Sequence, residues 1–217
     1  MGFVNKNSST NIHNVMKRVL LLWSLFLEVV GYGQEEKLDI KTIIKEAETG
    51  SAIAQYNLAG YYEIGEGVER SDKKALYWYT QSAKKGYSHA QWQLALFYKY
   101  GREIAQSNKK AFYWLNKAAA QNNTTAQRQL AGFYYEGDGI AQSYEKAFYW
   151  YEKAAQAGDT FAMEDLARLY EKGEGVIRSE EKALYWINKS CENGYEKACE
   201  VLKYYEETQE NSHLYEN

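Results

Sequence analysis

A 36-residue pattern is written four times in this chain with no insertion or deletion between copies, and no other feature constrains the fold so tightly. The copies run 54–89, 90–125, 126–161 and 162–197, and Ala198 opens a fifth, truncated one. A Trp recurs at Trp78, Trp114, Trp150 and Trp186. A Leu recurs at Leu58, Leu94, Leu130 and Leu166, and a Tyr four residues later at Tyr62, Tyr98, Tyr134 and Tyr170. A fixed period of this size means a solenoid, propeller or array whose units pack only on their neighbours. Such a chain builds an extended surface.

The spacing inside one copy decides among these. Ala54, Leu58, Ala59 and Tyr62 fall at i, i+4, i+5 and i+8, one face of a helix. Ala75, Trp78, Tyr79, Ser82 and Ala83 form a second helical stripe, on which the repeated Trp is expected as a ladder largely buried between successive units. Between the stripes stands Gly-x-Gly (Gly65/Gly67, Gly137/Gly139, Gly173/Gly175), suited to reversing the chain. Gly86, Gly158 and Gly194 follow the second stripe, where a left-handed residue ends a helix. The second copy has Asn122 there, and Glu103 in place of the second turn glycine, so its turn is expected to differ. Each unit is therefore read as helix A, turn, helix B, turn. With no proline and no strand-like alternation, the fold class is all-α: a right-handed α-solenoid of helix-turn-helix units.

These residues resemble the Sel-one-like repeat, a relative of the tetratricopeptide repeat. The third copy carries the likeness in Ala126, Leu130, Tyr134, Gly137 and Gly139. It continues through Lys146-Ala147, Trp150-Tyr151, Lys153-Ala154-Ala155 and Gly158. One departure is that Ala59, Ala95, Ala131 and Ala167 replace the family glycine, leaving room for close helix approach. The resemblance implies a superhelical scaffold or adaptor.

Both ends read as caps. Residues 34–53 form an N-terminal half-repeat, a lone helix B with Thr42 at the Trp position. Residues 198–209 form a closing helix A with Lys203 where the repeats keep Ala, and 210–217 are read as a disordered tail. Ahead of them, Lys17-Arg18 precedes an apolar run over 19–30, then Gly31 and Gly33, the order of a secretory signal peptide. Residues 1–33 are accordingly an N-terminal extension with a signal peptide, with Met16 a candidate start. The run is short for a membrane-spanning helix, which needs about 20 residues. An exported chain, periplasmic or extracellular, without stable membrane insertion is expected. Removing 1–33 (Lys6, Lys17, Arg18, Glu28; net +2) takes the formal charge from −3 to −5. An acidic body with no basic stripe argues against nucleic acid.

Cys191 and Cys199, the only cysteines, flank the turn after helix B. The corresponding pairs upstream are Ala83/Gln91, Ala119/Gln127 and Ala155/Met163. Helices leaving one turn in opposite directions bring such positions within bridging range. The same spacing is used for disulfides in the secreted, cysteine-rich branch of the resembled family. Two buried free thiols are the alternative; a metal site would lack a nearby His.

Ser-x-x-Lys occurs at Ser71/Lys74, Ser107/Lys110, Ser143/Lys146 and Ser179/Lys182. That is the nucleophile signature of penicillin-recognising enzymes, and β-lactamase-like activity has been described for some cysteine-rich relatives. Yet each Ser directly precedes helix B, where a hydroxyl caps the helix, and a cap is needed once per helix. His89 is the only imidazole in the repeat region. No catalytic set, metal site or cofactor is therefore expected. Binding of a protein or peptide by a monomer is. Helix A lines the concave face of such solenoids, and Tyr56, Trp92, Lys99, Arg128 and Tyr135 occupy its variable positions as candidate contacts.

Overall fold

The computed structural model describes residues 39–214, with side chains through residue 207. Ten α-helices and no strand occur among the described residues. They are α1 (Ile40–Glu48), α2 (Ala52–Ile64), α3 (Asp72–Lys84), α4 (Ser88–Tyr100), α5 (Asn108–Ala119), α6 (Thr124–Glu136), α7 (Tyr144–Gln156), α8 (Thr160–Lys172), α9 (Glu180–Glu192) and α10 (Glu196–Leu214). Each packs on the next in chain order, as in a solenoid. Helix A of each unit begins two residues before the frame read from the sequence. The signal peptide, the extension and the candidate start lie outside the described residues.

Local chemistry sets the helix boundaries. Ser71, Ser107, Ser143 and Ser179 each accept a hydrogen bond at 3.3 Å from the backbone N–H of Lys74, Lys110, Lys146 and Lys182. Each satisfies a donor that the helix cannot. The Ser-x-x-Lys motif is thus spent on caps. Ser51, Asn123 and Asp159 do the same for α2, α6 and α8. Glu103, expected to alter its turn, takes the left-handed conformation of its glycine counterparts at φ 52°, so the second turn keeps the shared path. The turn at Gly175 lies against the start of the preceding unit's helix B, where an added β-carbon would clash with the Tyr144 backbone.

Small residues hold the seams close. Ala59, Ala75, Ala90, Ala111, Ala126, Ala147 and Ala162 are fully buried, and Leu58, Leu94, Leu130 and Leu166 are at most 1% exposed. Burying one such Leu stabilises by roughly 1.5–3 kcal/mol. The Trp residues, expected as a largely buried ladder, are half-buried instead. An alanine-lined seam has no room for an indole, so each ring lies across the edge. Trp78, Trp114 and Trp150 each pack on two successive core clusters, whereas Trp186 packs on one.

A latch recurs where each helix B hands over to the next helix A. Gln55, Gln91 and Gln127 donate their side-chain N–H to the carbonyls of Ala47, Ala83 and Ala119 at 3.0, 3.2 and 3.3 Å. At the fourth seam buried Met163 replaces the Gln. At the last, Cys191 and Cys199 stand with Cα atoms 4.8 Å and Sγ atoms 2.07 Å apart, in disulfide-bonding position. The closing helix runs to Leu214, past the expected end at 209. No glycine or proline stops it after Gly194. Lys203 points outward, its side chain 78% exposed.

Candidate functional site

The candidate contacts sit at two positions of helix A, two residues before the repeated Leu and five after it. The structure gives both positions a structural role, because each side chain reaches from its own unit into the next. Tyr56 on α2 packs edge-on against Tyr87 and His89, ring centroids 5.2 and 6.0 Å away. Arg128 on α6 pairs through Nε with Asp159 at 3.1 Å and lies over the Phe161 ring. Lys99 on α4 extends over the Phe133 ring at 5.3 Å. Tyr135 donates its hydroxyl to Glu174 at 2.9 Å and stacks near Tyr144. Trp92 packs on the second core cluster, its Nε1 covered and without a hydrogen-bond partner. All five are half-buried rather than free.

The seam between the first and second repeat units carries the densest polar clamp. Arg102 donates to Glu63 at 2.7 Å and to Asp72 at 3.0 Å while lying over the Phe97 ring. Glu63 also accepts the Tyr79 hydroxyl at 2.9 Å. Burial first, then the Glu63 charge and hydrogen bond, push the Tyr79 phenol well above its ordinary value. Burial likewise raises Asp165, against the opposing pull of Arg168 and Arg128.

A pairing between the two helices of one unit was not singled out by sequence reasoning. The second residue after the A-helix Leu is matched with the residue that follows the Trp by one: positions 60/79, 96/115, 132/151 and 168/187. In the first and third units the pair is Gly with Tyr. A β-carbon added at Gly60 would lie 3.8 Å from the Tyr79 hydroxyl, and one at Gly132 3.7 Å from the Tyr151 hydroxyl. The second unit has Leu96 with Leu115, the fourth Arg168 with Ile187. The signal for it was the covariation of a large and a small residue, 19 apart in every copy.

Also missed was a line of tyrosines immediately before the Trp residues. Tyr77, Tyr113, Tyr149 and Tyr185 are 55%, 51%, 48% and 54% exposed, each ring edge-on to its neighbouring Trp. Lys117 and Lys153 lie over such pairs. A pocket of about 420 Å³ opens between α8, α9 and α10.

No cluster of three or more potential metal ligands exists among the described residues, and none of their helices is long and apolar enough to cross a membrane.

Comparison with known families matches the Sel1 repeat at residues 52–87, 88–123, 124–159 and 160–200. Among solved structures, the chain is similar to a protective antigen of uropathogenic Escherichia coli strains displaying an SLR fold. Their identity is 29% and the TM-score 0.74, over 77% of this chain and 36% of that one. It is also similar to a Sel1 repeat protein of Oxalobacter formigenes, at 28% identity and TM-score 0.69, over 73% of this chain and 65% of that one. This chain thus spans about a third of the first relative and just under two thirds of the second. Comparison with curated proteins gives no match.

Proposed function

Because the chain belongs to the Sel1 repeat family, whose members are generally non-catalytic protein-interaction scaffolds, we propose that it is an exported, monomeric scaffold. Its helix-A face binds a protein or peptide partner, with Tyr56, Trp92, Lys99, Arg128 and Tyr135 as the contact set. One observation carries the reading: the buried Ala and Leu core recurs in every unit, while equivalent helix-A positions hold Tyr56, Trp92, Arg128 and Glu164. A stack kept uniform inside and varied along one face suits a particular ligand. The bonding position of Cys191 and Cys199 supports an oxidising compartment.

Affinity capture from the native envelope tests this, using the repeat region as bait. Trp92→Ala should weaken capture tenfold or more, as loss of an interface hot spot does. Because the ring is half-buried, it should also lower stability by about 1–2 kcal/mol. Ser107→Ala should lower stability by about 1 kcal/mol through its lost cap, and leave capture unchanged. A folded Trp92→Ala protein that captures every partner at full strength would move the site off this face.

A further inference from the structure

The pocket in the last unit lies where the other units place a large side chain of their own. In the first and third units, the space between helix A, helix B and the next helix A is filled by Tyr79 and Tyr151, 2% and 7% exposed. Leu115 fills it in the second. In the fourth, the equivalent residue is Ile187, shorter by most of a phenol ring. Its helix-A partner Arg168 does not fill the gap, because its guanidinium pairs with Asp165 on the same helix at 3.1 Å. The unfilled space has an apolar side from Ala183, Leu184, Ile187, Ala198 and Val201 and a charged rim that includes Arg178 and Glu180. Its volume of about 420 Å³ falls within the range of small-ligand sites, roughly 300–1,000 Å³.

The polar end of that space also has a precedent in the molecule. Tyr79 donates its hydroxyl to Glu63. The repeat carries Glu63 onto Glu171 in the fourth unit, and Glu171 lines the pocket. Glu171 makes no hydrogen bond among the described residues. The site therefore combines ring-sized apolar space with a carboxylate placed as the phenol acceptor is in the first unit. Neither an aliphatic nor an unsubstituted aryl group would use both.

We propose that this pocket receives a tyrosine side chain presented by a partner peptide, the ring lodging beside Ile187 and the hydroxyl donating to Glu171. The proposal deepens the scaffold reading and rests on it for the existence of a peptide partner. Its chemistry is testable without that partner.

The probe is N-acetyl-tyrosinamide, titrated into the isotope-labelled full chain, with the phenylalanine and leucine analogues as comparisons. The tyrosine probe should shift backbone amides of Ala183, Ile187, Ala198 and Val201 saturably. It should bind at least tenfold more tightly than the leucine probe and several-fold more tightly than the phenylalanine probe. Arg168→Gly with Ile187→Tyr installs the pair of the first and third units. That variant should fold at least as stably as the parent and lose the probe tenfold or more. Glu171→Leu, at an exposed position, should abolish the preference for tyrosine over phenylalanine. Absence of saturable shifts, shifts elsewhere, equal affinity for all three probes, or undiminished binding by either variant would overturn the proposal. Neither variant touches Tyr56, Trp92, Lys99, Arg128 or Tyr135. Undiminished capture by a folded Trp92→Ala protein, with probe binding intact, would fault the scaffold surface and leave the pocket standing.

Discussion

The Gly132–Tyr151 pair allows a quantitative test of how the units are packed. Replacing Gly132 with Leu alone drives a branched side chain at the Tyr151 hydroxyl, which lies 3.7 Å from where the first added carbon would sit. Overpacking of this kind costs about 1–3 kcal/mol. Removing a glycine from a helix interior returns roughly 0.5–1 kcal/mol, leaving a net loss of about 1 kcal/mol. Tyr151→Leu alone opens a gap beside Gly132 and forfeits most of a ring that is 7% exposed, a loss of about 2–3 kcal/mol. Together the two changes recreate the Leu96–Leu115 pair of the second unit, in which the new Leu occupies the vacated space. The double variant should therefore lose no more than about 1 kcal/mol, a favourable coupling of about 2–3 kcal/mol. Urea unfolding of the four proteins, with midpoints compared at constant slope, measures this. Losses that add to within about 0.5 kcal/mol would refute the claim that these positions complement each other. As a control, Gly132→Ala should stabilise by about 0.5–1 kcal/mol, because its β-carbon meets only ordinary contact.

Three further outcomes are expected. Trp150→Ala should cost about 2–4 kcal/mol in denaturant unfolding, and Trp186→Ala clearly less, because Trp150 joins two core clusters and Trp186 touches one. Equal losses would show that the rings do not bridge units. Intact-mass analysis after alkylation without reductant should find Cys191 and Cys199 unmodified, and replacing both by Ser should cost about 2–3 kcal/mol, confined to the last unit. Two modified thiols would refute the bond. At alkaline pH, the unfolded Tyr79 phenol ionises near pH 10, while its folded counterpart resists through burial and Glu63. Its contribution is fully present below pH 10 and declines as pH rises beyond that. Stability measured from pH 9 to 11 should fall, and less steeply in Tyr79→Phe; identical slopes would discount the phenol.

Where sequence and structure agree, the agreement has a local cause. Caps such as Ser71 and helix-ending residues such as Gly65 act on their own neighbours, so spacing alone located them. Glu103 was misjudged for a converse reason: the seam around it holds its left-handed conformation against its preference. The Trp residues were misjudged because period reveals which face a residue occupies and not the width of the gap it faces. That gap was set by the alanines opposite. The last-unit pocket depends on Arg168, Ile187 and Val201, which are far apart in sequence and share a space only when α8, α9 and α10 are brought together.

The latch between units has a consequence for copy number. The bond from a helix-A Gln to the carbonyl of the preceding helix B recurs at the first three seams in the same register. Excising residues 88–123 would set Gln127 against Ala83, where Gln91 now stands, and Trp78 against the third unit in place of the second. The Gly–Tyr pair of each remaining unit lies wholly within it and would be undisturbed. The Gln latch at the new joint would thus be one that the chain already possesses. The length of its helix-A face can change in whole steps while its folding rules stay the same.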